Sequence, residues 1–185
     1  MRKLTVLLIV LLPVFVFAQT KYVTKTGQAT IFSHTIAEDI TANNYKVTST
    51  INTETGDMVF VIPVQSFQFE KALMQKHFNT ENFMNSKKYP KIKYKGKIKN
   101  LSSVNWSKDG KYPVTVDGNI TIRDVTKPLS AEGTIEIKNG TLTASSVFMV
   151  KHITDYHVGK PTKKSKANNV ADDIKVTYTG TYKVK

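Results

Sequence analysis

Two groups of residues have the types and spacing that could support chemistry. His77 and Glu81 are four positions apart in a segment of helical character, so both side chains would lie on one helix face and could bind a metal ion. His152, Asp155 and His157 are close enough to form a metal site or an acid–base pair. The first pair has no identifiable third ligand, so we favour a capping or packing role for it and a solvated turn for the second group. The sequence therefore predicts no catalytic residue, no metal site and no cofactor.

The elements around these residues are mainly strands. Lysine occupies every odd position of residues 91–99, KIKYKGKIK, while Ile92, Tyr94 and Ile98 take even positions. Side chains of a strand point alternately to its two faces, whereas on a helix the same spacing would scatter the lysines around the axis. The pattern predicts a strand whose lysines face water and whose apolar side chains face a shared interior.

The same period of two recurs along the chain and predicts about eight antiparallel strands. Residues suited to tight turns separate several of them, at Thr55-Gly56, Asp109-Gly110 and Asn139-Gly140. An up-and-down barrel of eight strands would pair every strand edge and hold side chains or one ligand inside, whereas a two-sheet sandwich is the open alternative. The further strand segments are approximately residues 22–33, 45–52, 57–64, 112–122, 129–138, 141–151 and 174–184.

One segment lacks this period of two. Residues 66–85, SFQFEKALMQKHFNTENFMN, contain helix-forming residues and no glycine or proline. Phe69 and Leu73 have the i, i+4 spacing of a helix face, and so do Met74 and Phe78. We predict a short helical insertion, or two short helices, that plugs one end of the barrel.

The first eighteen residues predict export. A basic start precedes an apolar run at residues 4–17, and Ala18 supplies the small residue of a signal-peptide cleavage site. An uncleaved anchor is the alternative, but the run is shorter than the ~20 apolar residues of a spanning helix. We predict that residues 1–18 are a cleaved signal peptide and that residues 19–185 form one domain, soluble in the periplasm or secreted. The chain contains no cysteine, so its stability must come from the core alone.

The charge balance restricts the partners. The formal net charge is +13, which favours an anionic neighbour. Arg123 is the only arginine after residue 18. Arginine is the side chain best suited to bind phosphates and base edges through two parallel hydrogen bonds. Nucleic acid is therefore not an expected partner. The lysines of residues 91–99 fit either attraction to lipid phosphates or a solubilising wall that discourages edge pairing, and we favour the second role.

A series of short motifs follows in order over nearly the whole chain after residue 18. They are FVIPVQSF at 60–67, LM at 73–74, HFN at 77–79, YPK at 89–91, GNITI at 118–122, VTK at 125–127, Phe148, DY at 155–156 and Pro161. With these motifs the sequence resembles the YceI-like family of exported, lipocalin-like proteins associated with polyisoprenoid binding. It departs from the family at Arg123-Asp124, where glycine is common, and at residues 33–44, which lack the glycine-phenylalanine step of many members.

The resemblance implies an all-β fold, an eight-stranded antiparallel lipocalin-like barrel around an elongated apolar cavity for a lipid tail. We expect an exported carrier that sequesters an isoprenoid or other long-chain amphiphilic lipid and is not an enzyme. The alternative is a ligand-free basic interaction module at an anionic cell surface, in transient contact with the membrane. Alternation does not distinguish a hollow barrel from a filled one, and it specifies neither the lipid headgroup nor the oligomeric state. The residues expected to line the cavity are Phe60, Ile62, Ile92, Tyr94, Ile98, Val114, Val116, Ile120, Ile122, Ile135, Ile137, Phe148, Val150, Val176 and Tyr178.

Overall fold

A computed structural model describes residues 21–34, 38–159 and 171–185, so the predicted signal peptide lies outside the described residues. Within these ranges the chain forms one antiparallel sheet and one short α-helix. None of the described helices is long and apolar enough to span a membrane. The strands are β1 Lys21–His34, β2 Asp39–Asn52, β3 Asp57–Pro63, β4 Gln68–Phe69, β5 Lys91–Ile98, β6 Gly110–Ile122, β7 Val125–Lys138, β8 Thr141–Val150 and β9 Ile174–Val184.

The eight long strands close into a barrel. Their order around the sheet is β1-β9-β8-β7-β6-β5-β3-β2, and β1 pairs with β2 to complete the circle. The two-residue β4 adds to one end of β2, where Ala42 lies opposite Phe69. The predicted eight-stranded antiparallel barrel is therefore confirmed, and a sandwich of two separate sheets is excluded because every long strand belongs to one closed sheet.

The period-two pattern fixes which side chains enter the barrel. In β5 the lysines are exposed, whereas Ile92 and Tyr94 are half-buried and Ile98 is 2% exposed. In β6 the buried side chains occupy even positions, and Ile120 and Ile122 are 7% and 3% exposed. The alternation predicted for these strands is confirmed, because each strand has one wet and one dry face.

The turns agree with the sequence at two of three predicted places. Gly56 has φ 75°, and Asn139 and Gly140 have φ 49° and 73° in the two-residue connection between β7 and β8. Gly110 instead begins β6 after a long connection, and the Asp109 carboxylate accepts hydrogen bonds from the backbone N–H of Asn139 at 3.0 and 3.1 Å. Asp109 thus joins two loops at one end of the barrel instead of starting a tight turn.

The helical insertion is shorter than the predicted interval of residues 66–85. Helix α1 spans Ala72–Phe78, and the rest of the interval consists of a 3₁₀ turn, β4 and a series of hydrogen-bonded turns. Phe78 packs against Phe67 and Phe69, with ring centroids 5.5 and 4.9 Å apart. The aromatic contacts attach α1 to one end of the barrel, which we call the helix end.

Buried apolar residues form two groups along the barrel axis. One group fills the opposite end, which we call the closed end, and includes Ile51, Ile98, Ile137, Leu142 and Tyr182. The second group lies under the helix end and combines barrel residues with side chains from the connecting segments. Its fully buried members are Val64, Met84, Ile120, Ile122, Val150, Ile153, Tyr156, Val158 and Ile174.

The two faces of β6 predict opposite responses to the same substitution. We expect Ile120→Asp to destabilise the fold by several kcal/mol or to prevent folding, because an unpaired carboxylate would enter an apolar interior. Thr121→Asp should be nearly silent, because its side chain faces outward opposite Lys93. Denaturant unfolding of both variants measures the difference. Equal midpoints for the two variants would contradict the assignment of the faces.

Candidate functional site

The barrel encloses a cavity of about 940 Å³ between its two groups of core residues. This volume is near the upper end of the range of roughly 300–1,000 Å³ that small-molecule sites span. Strands β1 to β3 and β5 to β9 supply its walls, and the segment around α1 covers its helix end. The barrel is therefore hollow in its middle, which the alternation of apolar and polar residues does not determine.

The structure places all the predicted lining residues at this cavity except two. Ile98 and Ile137 point inward but belong to the closed-end core, below the cavity floor. Whether the remaining residues contact a ligand stays a prediction. Those that line the cavity are Phe60, Ile62, Ile92, Tyr94, Val114, Val116, Ile120, Ile122, Ile135, Phe148, Val150, Val176 and Tyr178.

Sequence reasoning missed two kinds of lining residue. Aromatic and methionine side chains near α1, including Phe67, Met74 and Phe83, line the cavity as well as covering its helix end. Small residues make the second kind: Ala131 and Ala144 occupy inward positions where a larger side chain would fill the space. The two alanines follow the same period of two as the larger inward residues of their strands, but that period carries no information about side-chain size.

Three aromatic rings form the floor of the cavity. Phe60 meets Tyr178 edge to face with ring centroids 5.0 Å apart, and it meets Tyr94 at 6.0 Å. The Tyr94 ring lies across a pair of facing glycines, since a Cβ built on Gly96 or Gly118 would lie within 2.8 Å of it. Only glycine leaves room for this ring, so the two glycines allow Tyr94 to lie flat against the wall.

The tyrosine hydroxyls on this floor have protein partners. Tyr94 Oη donates to the Leu129 carbonyl at 3.0 Å, while the hydroxyls of Tyr178 and Tyr182 are 2.9 Å apart and Tyr182 donates to Ser49 Oγ at 2.9 Å. Burial, with a smaller contribution from the negative charge of a nearby aspartate, raises the pKa of Tyr94 to about 12. Burial likewise raises the pKa of Tyr178 and of Tyr182. The floor is therefore uncharged at neutral pH.

No lysine or arginine is among the described residues that line the cavity, although the chain carries a formal net charge of +13. The charged carboxylates at its edges are Glu38 and Glu132, and Glu38 accepts a hydrogen bond from the Lys71 ammonium. His77 lines the helix end without Glu81, which is exposed outside the lining. The two residues that sequence spacing paired are not brought together at the cavity.

The histidines after β8 pair with separate aspartates. His152 Nδ1 is 2.8 Å from an Asp172 carboxylate oxygen, His157 Nδ1 is 3.4 Å from Asp124, and Asp155 accepts a hydrogen bond from the Lys127 ammonium. Residues 152, 155 and 157, which the sequence predicts to form a solvated turn, thus each contact a different partner. Ligand atoms of His152, Asp172 and Asp173 do lie within 4.8 Å of one another, in an exposed cluster that also accepts backbone hydrogen bonds.

The barrel wall has a fork between β7 and β8. Their pairing extends from Lys138 opposite Thr141 to Gly133 opposite Ser146, and it stops there. Beyond this point residues 125–132 stay paired with β6 only, and residues 147–150 stay paired with β9 only. The two strands therefore separate toward the helix end, and the cavity lining at the fork includes the outward-facing Ser145.

A closed antiparallel barrel with a hollow apolar interior defines a lipocalin-like class of barrel, in which the interior is the candidate binding site. The model of the YceI-like domain matches residues 16–182, and the chain belongs to that family. A comparison with curated proteins finds no match.

Solved structures share the fold at low sequence identity. Burkholderia cenocepacia BcnA is 16% identical, with a TM-score of 0.68 over 85% of this chain and 96% of its own. A polyisoprenoid binding domain from Saccharophagus degradans, implicated in plant cell wall breakdown, is 10% identical, with a TM-score of 0.72 over 91% and 100%. The Campylobacter jejuni YCEI protein is 16% identical, with a TM-score of 0.60 over 82% and 88%. At these identities the similarity establishes the barrel and not its ligand.

The His152–Asp172 pair predicts a pH dependence at the junction of β8 and β9. The hydrogen bond and the negative charge of Asp172 raise the pKa of His152 above its ordinary 6.5. Hydrogen bonds from Thr154 first, and then from His152, lower the pKa of Asp172 below its ordinary 3.8. The pair contributes stability between these two shifted values. It loses the histidine part as pH rises through the raised pKa, and the aspartate part as pH falls through the lowered one.

An NMR titration of the His152 ring measures this shift directly. We expect Asp172→Asn to move its pKa back toward 6.5, because the variant removes the carboxylate that stabilises the imidazolium. Asp155→Asn is the matched control and should move the pKa less, since the Asp155 charge is the smallest contributor. An equal shift in the two variants would show that general negative charge, and not the Asp172 contact, sets the pKa.

Proposed function

We propose that this protein is an exported carrier that sequesters an isoprenoid or another long-chain amphiphilic lipid by burying its tail in the barrel. The observation that carries the proposal is the enclosed apolar cavity of about 940 Å³. Family membership supports it, and so does the fold shared with a structure described as a polyisoprenoid binding domain. The apolar segment at residues 4–17 supports export.

The energetics favour a long tail. Each methylene that leaves water contributes ~0.8 kcal/mol, so ten methylenes contribute about 8 kcal/mol. Association itself costs at least about 4 kcal/mol, which offsets at least half of that gain. Tails well beyond ten carbons therefore reach strong binding without any charged anchor, and the cavity floor supplies none because its tyrosine hydroxyls are neutral and already hydrogen-bonded.

The carrier performs no chemistry in this proposal. Catalysis requires a nucleophile, an acid or a base converging on one reacting atom. In the described part of the chain, the histidines at 152 and 157 contact Asp172 and Asp124 separately, and both pairs are exposed outside the cavity. The walls that face the cavity present hydrocarbon, which binds tails by exclusion from water.

A side chain that fills the cavity should abolish binding without harming the fold. Ala131 faces inward on β7, so Ala131→Trp would occupy the space of the tail, whereas Ser130→Trp would add the same ring to the exposed outer face. We expect the inward variant to weaken uptake of a fluorescent long-chain probe at least tenfold and the outward variant to leave it unchanged. Unchanged uptake in a folded Ala131→Trp protein would contradict binding inside the barrel.

Native mass spectrometry of protein purified from its own host provides an independent readout. We expect an apolar molecule at about one per chain in the wild type, recoverable by organic extraction, and its loss from Ala131→Trp. Reproducible absence from the wild type, together with no uptake of isoprenoid probes, would instead favour the ligand-free interaction module.

The lysine row of β5 separates the carrier from a membrane-recruitment role. Lys93 and Lys95 are exposed on the outer face, while Lys97 lies opposite Asp57 and Asp117 on the neighbouring strands. We expect Lys93→Gln, Lys95→Gln and Lys97→Gln together to preserve folding, probe uptake and the weak binding to anionic vesicles. If the row recruited membranes, vesicle binding would fall by up to ~1 kcal/mol per charge and lose its salt dependence.

A further inference from the structure

The fork between β7 and β8 joins the cavity to a second space outside the barrel. Where the pairing ends, a Cβ on Gly133 would lie 2.7 Å from the Ser145 carbonyl oxygen, so glycine permits this close approach. The Ser146 hydroxyl donates to the Glu132 carbonyl and fastens the two strands at that point. Toward the helix end the strands then diverge, and Lys127 on β7 contacts Asp155 instead of β8.

The outer space is a groove of about 640 Å³ on the exterior of β6 to β9. It shares a set of lining residues with the cavity, all at or beside the fork, so the two spaces meet there. The shared residues are Val114, Glu132, Gly133, Thr134, Ser145, Ser146 and Tyr178.

The groove differs from the cavity in its chemistry. Outward hydroxyls from Thr115, Thr134, Ser145 and Thr179 line it, and Glu132 adds an exposed carboxylate. No lysine or arginine is among the described residues that line it. The groove therefore offers hydrogen-bond donors and acceptors with a negative charge, a combination that accepts hydroxyl or carbonyl groups and repels phosphate.

We propose that the polar headgroup of the bound amphiphile leaves the barrel through the β7–β8 fork, binds in this outer groove, and is an uncharged group bearing hydroxyl or carbonyl oxygens. The inference rests on the proposed function, because it requires the tail to occupy the cavity. It specifies the ligand class further: an isoprenoid alcohol or a comparable neutral amphiphile binds, and an isoprenoid phosphate is rejected. The tail stays in the hydrocarbon-lined space, and the headgroup keeps hydrogen bonds that the apolar interior cannot provide.

The helix end is the competing position for the headgroup. His77, Thr80 and Asn82 line the cavity there as exposed residues, and the aromatic side chains of Phe78 and Phe83 line the same end. Its carboxylate, Glu38, is held by the Lys71 ammonium. The fork opens onto a second groove with outward hydroxyls from four residues and an exposed carboxylate that no described lysine or arginine of the lining neutralises, so we assign the headgroup to the fork.

The test compares three probes on the full-length protein. They are the isoprenoid alcohol geranylgeraniol, its monophosphate, and the hydrocarbon phytane, each measured by displacement of a fluorescent long-chain probe. We expect the wild type to bind the alcohol at least tenfold more tightly than the monophosphate. A monophosphate that binds as tightly as the alcohol would overturn the assignment of an uncharged headgroup.

Substitutions in the groove locate the headgroup. Thr179→Trp should weaken alcohol binding at least tenfold and leave hydrocarbon binding within twofold, because Thr179 lines the groove and not the cavity. Thr181→Trp is the matched control, since this residue is two positions away on the same outer face of β9 but lines neither space. Equal alcohol binding in Thr179→Trp and Thr181→Trp would place the headgroup elsewhere and overturn the inference.

A charge reversal provides a gain-of-function readout. Glu132→Lys replaces the only described carboxylate of the groove by a cation, so it should raise affinity for the monophosphate at least tenfold relative to the alcohol. An unchanged ratio would contradict headgroup binding beside Glu132. Failure of the wild type to bind any of the three probes, the hydrocarbon included, would overturn the carrier function itself, which separates that outcome from a misplaced headgroup.

Discussion

Closure of the sheet by the pairing of β1 with β2 is the constraint on which the remaining structure depends. The ladder extends from Lys21 opposite Asn52 to His34 opposite Asp39, with register irregularities around Gly27. Because it joins the first strand to the second, β1 takes both β2 and β9 as neighbours, and every long strand has a paired strand on each side. Closure also gives the sheet an inner and an outer face. Alternate side chains of every strand therefore point into the interior.

Side-chain size then decides whether that interior is filled or hollow. Toward the closed end, Ile51, Leu142 and Tyr182 are almost fully buried and belong to one packed cluster of apolar side chains. In the middle of the barrel Ala131 and Ala144 leave space, and the rings of Tyr94 and Tyr178 lie close against glycines of the wall. A hollow segment loses dispersion contacts that a packed core would have made, and the lipid tail of the proposed function would supply such contacts.

The strands and their faces were predictable because period two is a local property of the sequence. Hollowness was not, since Ile98 and Ile120 obey the same alternation although one belongs to a packed core and the other to a cavity wall. The fork between β7 and β8 could not be predicted from the sequence either, because the end of pairing between two strands depends on the neighbours of both. The turn at Arg123 was visible only as a departure from a family glycine, and its φ of 55° shows why glycine is common there.

The distribution of charge follows from the same division of faces. The chain has a net charge of +13, the lysines of β5 lie on the outer wall, and the described lining of the cavity contains no lysine. Burying a lysine among those hydrocarbon walls would be costly, and burial keeps the tyrosines of the floor neutral by raising their pKa. In the proposed function, an interior of this kind would distinguish ligands by length and by apolar area and not by the sign of a distant charge. Selection among headgroups would then occur where the wall opens, and in the described part of the barrel wall β7 and β8 separate beside the carboxylate of Glu132.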